Sequence, residues 1–144
     1  VNAPMELVRT LLDDGTLALA QLHGQEDESY IRELKTYTDK LIIKAFSIKT
    51  AEDIEKALQS PADYILLDQG GGGTGKTFDW SLIPEIQRPF FLAGGIGASN
   101  LGQAIREIHP YAVDLSSSVE TEKRKDPMKI RQVVDIVREI RIIN

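Results

Sequence analysis

Asp63-Tyr64-Ile65-Leu66-Leu67-Asp68-Gln69-Gly70-Gly71-Gly72-Gly73-Thr74-Gly75-Lys76-Thr77 is the stretch whose reading decides the fold. Its first half is a short apolar run ending in an acid, the pattern of a strand buried on both faces that delivers a carboxylate where it opens into a loop. Its second half holds five glycines in the six residues from Gly70 to Gly75. Glycine lets backbone N–H groups approach an anion without side-chain interference. A phosphate held beside an acid is the first expectation.

Gly70 to Thr77 also fits G-x-x-x-x-G-K-[ST], the nucleotide-binding P-loop. That reading requires Lys76 and Thr77 to open a helix long enough to aim its N-terminus at the phosphates. The sequence that follows, Phe78-Asp79-Trp80-Ser81, then Leu82-Ile83-Pro84-Glu85-Ile86, leaves barely two turns before the apolar run at Phe90, with Pro84 inside them. A P-loop nucleotide enzyme is therefore the weaker alternative.

The 144 residues are 42% hydrophobic and 27% charged, an ordinary globular composition sufficient for one core, so residues 1–144 are expected to form a single domain. A net charge of −5 argues against a nucleic-acid partner or an anionic membrane surface. Lys123-Arg124-Lys125 is flanked by Glu120, Glu122 and Asp126 and reads as a solvated turn. No apolar run approaches the ~20 residues of a membrane span, and no signal-peptide pattern is present, so a cytoplasmic location is expected. Cysteine is absent, which excludes disulfide and thiolate chemistry within these residues.

The rest of the chain alternates strand and helix. Leu7, Val8, Leu11 and Leu12 recur at helical spacing. Leu17 to Leu22 reads as a strand, Tyr30 to Leu34 as a helix opening among the acids Glu26 to Glu28, Leu41 to Ile48 as a strand and Ala51 to Gln59 as a helix. After Asp63–Asp68 come the strand Phe90–Ala93, a helix capped by Ser99 or Asn100, and the strand Tyr111–Leu115. A last helix starts with Asp126 as N-cap and Pro127 at its first position. This repetition predicts a parallel sheet with right-handed crossovers, either doubly wound or a (β/α) barrel, with its site at the carboxyl edge of the strands in either case.

Two loops favour the barrel. Ala93-Gly94-Gly95-Ile96 follows one strand and Ser116-Ser117-Ser118 the next, so both can supply N–H groups and hydroxyls to one phosphate, as the loops after the last two strands of such barrels do.

Taken together, Gln21-Leu22-His23-Gly24, Leu66-Leu67-Asp68, Gly72-Gly73-Thr74-Gly75-Lys76-Thr77-Phe78-Asp79-Trp80, Ala93-Gly94-Gly95-Ile96, Asp114, Ser116-Ser117, Val119-Glu120 and Lys125-Asp126 resemble the phosphoribosylanthranilate isomerases over essentially the whole chain. The resemblance implies a (β/α)₈ barrel that rearranges an aminoaldose phosphate to an aminoketose phosphate without cofactor or metal, as a step of tryptophan biosynthesis. It gives Asp68 the role of general acid. It makes Gln21, His23, Gly72, Gly73, Gly94, Gly95, Asp114, Ser116 and Ser117 the substrate- and phosphate-binding residues, with His23 lining the pocket and taking no catalytic step. A carboxyl that donates near neutral pH needs an apolar strand end to disfavour its anion, which the Leu66-Leu67-Asp68 context supplies. His109, before Pro110, is expected to be a surface residue.

The family's general base is a cysteine in a Lys-Ile-Cys-Gly motif at the end of the first strand, and an arginine after its second strand holds the anthranilate carboxylate. Neither motif occurs here. The expectation is an incomplete TIM barrel running from the end of strand three through helix eight, with five complete parallel strands and negligible activity alone. The first alternative is a non-catalytic phosphate-binding remnant. Open sheet edges would make the chain a homo-oligomer, or the partner of a complementing N-terminal fragment, with inward strand faces uncovered. Ser118 stands where the family has glycine, and a required positive φ there would distort the phosphate cup.

Overall fold

A computed structural model describes residues 1–69 and 79–143. Its elements are α1 (Met5–Asp13), β1 (Leu19–Leu22), α2 (Glu28–Tyr37), β2 (Leu41–Ser47), α3 (Ala51–Leu58), β3 (Tyr64–Asp68), β4 (Phe90–Leu92), α4 (Leu101–Ile108), β5 (Ala112–Val113), β6 (Glu120–Thr121), β7 (Arg124–Lys125) and α5 (Pro127–Ile143). The helix starts are written in the sequence. Asp27 Oδ1 accepts the Tyr30 N–H at 2.9 Å, Thr50 and Asp53 form a reciprocal capping box, and Asp126 Oδ1 accepts the Met128 N–H at 2.9 Å. No helix among the described residues is long and apolar enough to cross a membrane.

β1 to β5 form one parallel sheet in the order β1-β2-β3-β4-β5. A doubly wound sheet reverses its strand order at a switch point, whereas a barrel adds each strand beside the last, so this order is that of a barrel wall. β5 is shorter than the expected Tyr111–Leu115. Its ladder nevertheless continues on both sides, with Tyr111 N–H to Phe90 O and Asp114 N–H to Leu92 O, both at 2.9 Å.

Strand periodicity separates two faces. Ile65, Leu67, Phe90 and Leu92 point outward and meet Ile54, Ala57, Leu101, Ala104 and Val133 from α3, α4 and α5. Ala20, Leu22 and Ile42 meet Val8, Leu12, Ile31 and Leu34 from α1 and α2. The opposite face carries Ile43, Ala45, Leu66 and Ala93, packed with Tyr64 and Phe91.

The expectation of uncovered strands is corrected at the centre of that inner face, whereas Leu19 and Leu41, on the same face by register, are exposed. Ile43, Ala45, Leu66 and Ala93 are at most 6% exposed. The curled sheet turns these side chains toward one another, and the rings of Tyr64, Phe91 and Tyr111 gather beside them with centroids 5.4 to 6.0 Å apart. At the rim Leu19, Leu41 and Tyr111 are exposed.

Between β3 and β4 the described residues contain one 3₁₀ turn, Trp80–Leu82, rather than a crossover helix, with Asp79 Oδ1 accepting the Ser81 N–H at 2.9 Å. The helix that a P-loop requires after Thr77 is not found from residue 79 onward. Arg88 ties this segment down: its guanidinium donates to the carbonyls of Leu58, Ser60 and Ala62 at 3.1, 2.9 and 2.5 Å.

Candidate active site

The register brings the chemistry to one edge. Ser47 pairs with Asp68 and Gln21 with Ile43, so Asp68 and Gln21 share the inner face, and His23 follows Gln21 by two residues. Ala112 pairs with Phe91 on the same face, and Asp114 follows it by two. The carboxyl ends of β1, β3 and β5 thus aim His23, Asp68 and Asp114 at one place. These three line a cleft of about 500 Å³ together with Gly94, Gly95, Gly97 and Ser116 to Ser118. A second groove of about 580 Å³, between Ile83–Gln87 and Glu107–His109, precedes β4 and β5 and lies at the opposite edge of the sheet.

Asp68 is closely approached at both carboxylate oxygens. Oδ2 lies 3.4 Å from His23 Nε2, and the Asp68 side chain is 19% exposed against 43% for His23. His23 Nδ1 lies 3.3 Å from Gln21 Nε2. With the Gln21 amide donating, Nδ1 is the acceptor and Nε2 carries the proton toward Asp68. On the other side is Gly94, at φ +82°, where a Cβ would come 2.6 Å from Asp68 Oδ1. Only glycine combines that φ with that approach.

The turn after β4 is braced by Asn100. Expected to cap α4 through its side chain, Asn100 instead accepts the Gly97 N–H at 2.9 Å and donates to Gly95 O at 3.0 Å. The helix N-cap is thereby spent on shaping the glycine turn. Among the described residues no acceptor meets the N–H groups of Gly95, Ile96, Ser117 or Ser118. These donors border the same cleft, a set suited to the oxygens of a phosphate.

Ser118 lies in a 3₁₀ turn, Ser117–Val119, and is not among the residues of positive φ, so its Cβ imposes no backbone strain there. Its Oγ is buried without a partner among the described residues, and its Cβ lies 3.0 Å from where a Cβ on Gly97 would sit. Gly72 and Gly73, with the rest of 70–78, lie outside the described residues. His109 ends α4 at φ +53°, its N–H bonded to Ile105 O, a helix-capping role.

The sequence reading missed the hairpin after this turn. Glu120–Thr121 and Arg124–Lys125 pair antiparallel around Glu122 and Lys123, at φ +50° and +62°. Two consecutive positive φ values make a type I′ turn. Lys125, read as part of a solvated turn, in fact reaches back to Ser116 O and Oγ, at 3.0 and 3.3 Å, and to Glu120 Oε1 at 2.7 Å. The spacing between Glu120 and Lys125 was the available signal, concealed because neither turn residue is glycine or asparagine.

A second missed group supports the turn after β1. Lys44 lies on the outer face of β2 and is 5% exposed; its ammonium donates to Gly24 O at 2.6 Å and Glu26 Oε2 at 3.1 Å. Glu26 also accepts the Asn2 and Gly24 N–H groups at 2.7 and 2.8 Å. This buried pair fixes the turn that presents His23.

The family model for N-(5'-phosphoribosyl)anthranilate (PRA) isomerase matches residues 1–136. Among curated relatives, the N-(5'-phosphoribosyl)anthranilate isomerase of Endomicrobium trichonymphae is 43% identical, over 97% of this chain and 70% of the relative. That of Bacillus cereus is 40% identical, over 93% of this chain and 68% of the relative. The crystal structure of phosphoribosyl anthranilate isomerase from Thermotoga maritima superposes with a TM-score of 0.84 at 35% identity, covering 96% of this chain and 70% of that one. A further isomerase structure, in complex with reduced 1-(o-carboxyphenylamino)-1-deoxyribulose 5-phosphate, superposes with a TM-score of 0.80 at 32% identity over 96% of this chain and 68% of that one. With the strand order and the carboxyl-edge cleft, these matches show that the chain belongs to the phosphoribosylanthranilate isomerase family.

Proposed function

We propose that the cleft takes N-(5-phosphoribosyl)anthranilate and carries out the acid-assisted part of its Amadori rearrangement. The observation that carries this reading is the convergence of Asp68 with the Gly94–Gly97 and Ser116–Ser118 turns on one cleft. The 5-phosphate sits among the N–H groups of Gly95, Ile96, Ser117 and Ser118. This anchors the ribose so that its ring oxygen meets Asp68, and Asp114 on the β5 side orients a sugar hydroxyl.

Asp68 protonates the ring oxygen. The C1–O bond breaks, the nitrogen lone pair forms the Schiff base, and the ring oxygen leaves as a hydroxyl on C4. Removal of the C2 proton then gives an enolamine, which tautomerises to the aminoketone. His23 holds Asp68 Oδ2, and Gln21 holds His23; both are positioning residues. No step calls for a cofactor or metal.

The C2 proton needs a base in hydrogen-bond reach of the same substrate, and the 144 residues include no cysteine for that role. We propose that the five strands are the portion of a barrel from the end of strand three through helix eight, and that this chain alone turns over negligibly. The two open edges at β1 and β5, and the exposed rim of Leu19, Leu41 and Tyr111, support a homo-oligomer or a complementing N-terminal segment as the cover. Steady-state assay tests the reading. The chain alone should show negligible turnover. Adding a polypeptide carrying the family's first three strands should restore it, and Asp68→Asn should lower the restored rate at least ~10²-fold. Full turnover by cysteine-free chain alone would assign the base to a residue within it, and an active Asp68→Asn would remove the general acid from Asp68.

A further inference from the structure

We propose that Lys125 is a positioning residue for the phosphate end of the cleft: it sets the direction of the Ser116–Ser117 peptide and so builds a site for a dianionic phosphate monoester. The inference rests on the phosphate-cup reading above and adds the element that shapes the cup.

The geometry starts from the type I′ turn at Glu122-Lys123, which folds β7 back along β6 and pairs Lys125 with Glu120. The hairpin is pinned at its base. Thr121 Oγ1 donates to Asp126 Oδ2 at 2.6 Å, the Asp126 N–H to Val119 O at 2.9 Å, and Lys129 Nζ to Glu120 O at 2.6 Å. Lys125 Nζ therefore reaches the turn after β5, where it donates to Ser116 O and Ser116 Oγ and pairs with Glu120 Oε1.

A trans peptide is planar, and its C=O and N–H point in opposite directions. Drawing the Ser116 carbonyl onto the Lys125 ammonium, on the side where it also accepts the Val119 N–H at 3.3 Å, therefore turns the Ser117 N–H the other way. That N–H has no acceptor among the described residues, and Ser117 lines the cleft. A cation on the carbonyl also polarises the peptide and makes its N–H a stronger donor. Glu120 balances the charge of Lys125, so the ammonium acts through the peptide it holds and need not touch the ligand.

Calorimetric titration of the chain with reduced 1-(o-carboxyphenylamino)-1-deoxyribulose 5-phosphate and with its dephosphorylated form tests this role. Wild type should prefer the phosphorylated ligand. Lys125→Met should weaken that ligand roughly tenfold while leaving the dephosphorylated one unchanged. Lys125→Arg, which keeps the cation and its donors, should recover most of the loss, and the melting temperature of both variants guards against simple unfolding. If Lys125→Met keeps the wild-type preference, or weakens both ligands equally, the positioning role is overturned and the phosphate cup stands. If wild type shows no preference for the phosphorylated ligand, the cup reading fails and this inference with it.

Discussion

Gly94 lies so close to Asp68 that a Cβ on residue 94 would come 2.6 Å from Asp68 Oδ1 and equally close to the Gln69 backbone nitrogen. The β4 turn and the β3 acid are thus one unit. Gly94→Ala should displace the carboxylate, and it strains a residue at φ +82°. We expect a loss of ~1–3 kcal/mol in urea unfolding, together with loss of the Asp68–His23 contact. A crystal structure of Gly94→Ala with that contact intact at 3.4 Å would show that glycine is not required there.

The Glu26–Lys44 pair makes stability depend on acid. Burial pushes the Glu26 carboxyl up, but its own backbone N–H, the Asn2 N–H, the Lys44 ammonium and the Gly24 N–H together bring it from 4.5 down to about 2. A value lowered by folding means that the stabilisation is complete above pH 4.5 and is lost as the pH falls toward 2. The contribution is about 3 kcal/mol at neutral pH. Urea unfolding from pH 6 to 2 should show this decline, and Glu26→Gln should flatten it; an unchanged acid limb in that variant would place the dependence elsewhere.

Ser118 offers the opposite case, a buried hydroxyl with no partner among the described residues. An unsatisfied buried hydroxyl costs ~1–3 kcal/mol, so Ser118→Ala should be neutral or stabilising by up to ~1 kcal/mol. A melting temperature clearly lowered by Ser118→Ala would mean that the hydroxyl has a partner in solution.

Arg88 substitutes for the crossover helix that β3–β4 lacks among the described residues. Its three carbonyl acceptors lie at the end of α3 and the entry to β3. Arg88→Met should cost ~2–4 kcal/mol, because those carbonyls lose a charged donor at a partly buried site. Denaturant unfolding decides it, and a cost under ~0.5 kcal/mol would mean that water replaces the guanidinium freely.

The sequence carried the βα alternation because periodicity and caps are local: Asp27, Thr50 and Asp126 each name a helix start before any fold is known. The placement of Asp68 followed from a strand end meeting a glycine loop. Less legible were features set by distant pairings. Asn100 reads as a cap but serves the Gly95–Gly97 turn, and Lys44 reads as one charge in an apolar strand until Glu26 arrives from another loop. The buried centre of the inner face was missed because its covering comes from sheet curl and the Tyr64–Phe91–Tyr111 rings, which no single strand records. Lys125 was missed because its role depends on a hairpin turn made by glutamate and lysine at positive φ.

The most direct test of the central claim, that Asp68 and the two turns form one sugar-phosphate site, is a crystal structure of the chain with reduced 1-(o-carboxyphenylamino)-1-deoxyribulose 5-phosphate. The predicted result places the phosphate within hydrogen-bond distance of the N–H groups of Gly95 and Ser117, and the C4 hydroxyl, derived from the ring oxygen, within ~2.6–3.2 Å of an Asp68 carboxylate oxygen. A phosphate seated elsewhere, or one held by those N–H groups with the sugar turned away from Asp68, would contradict it.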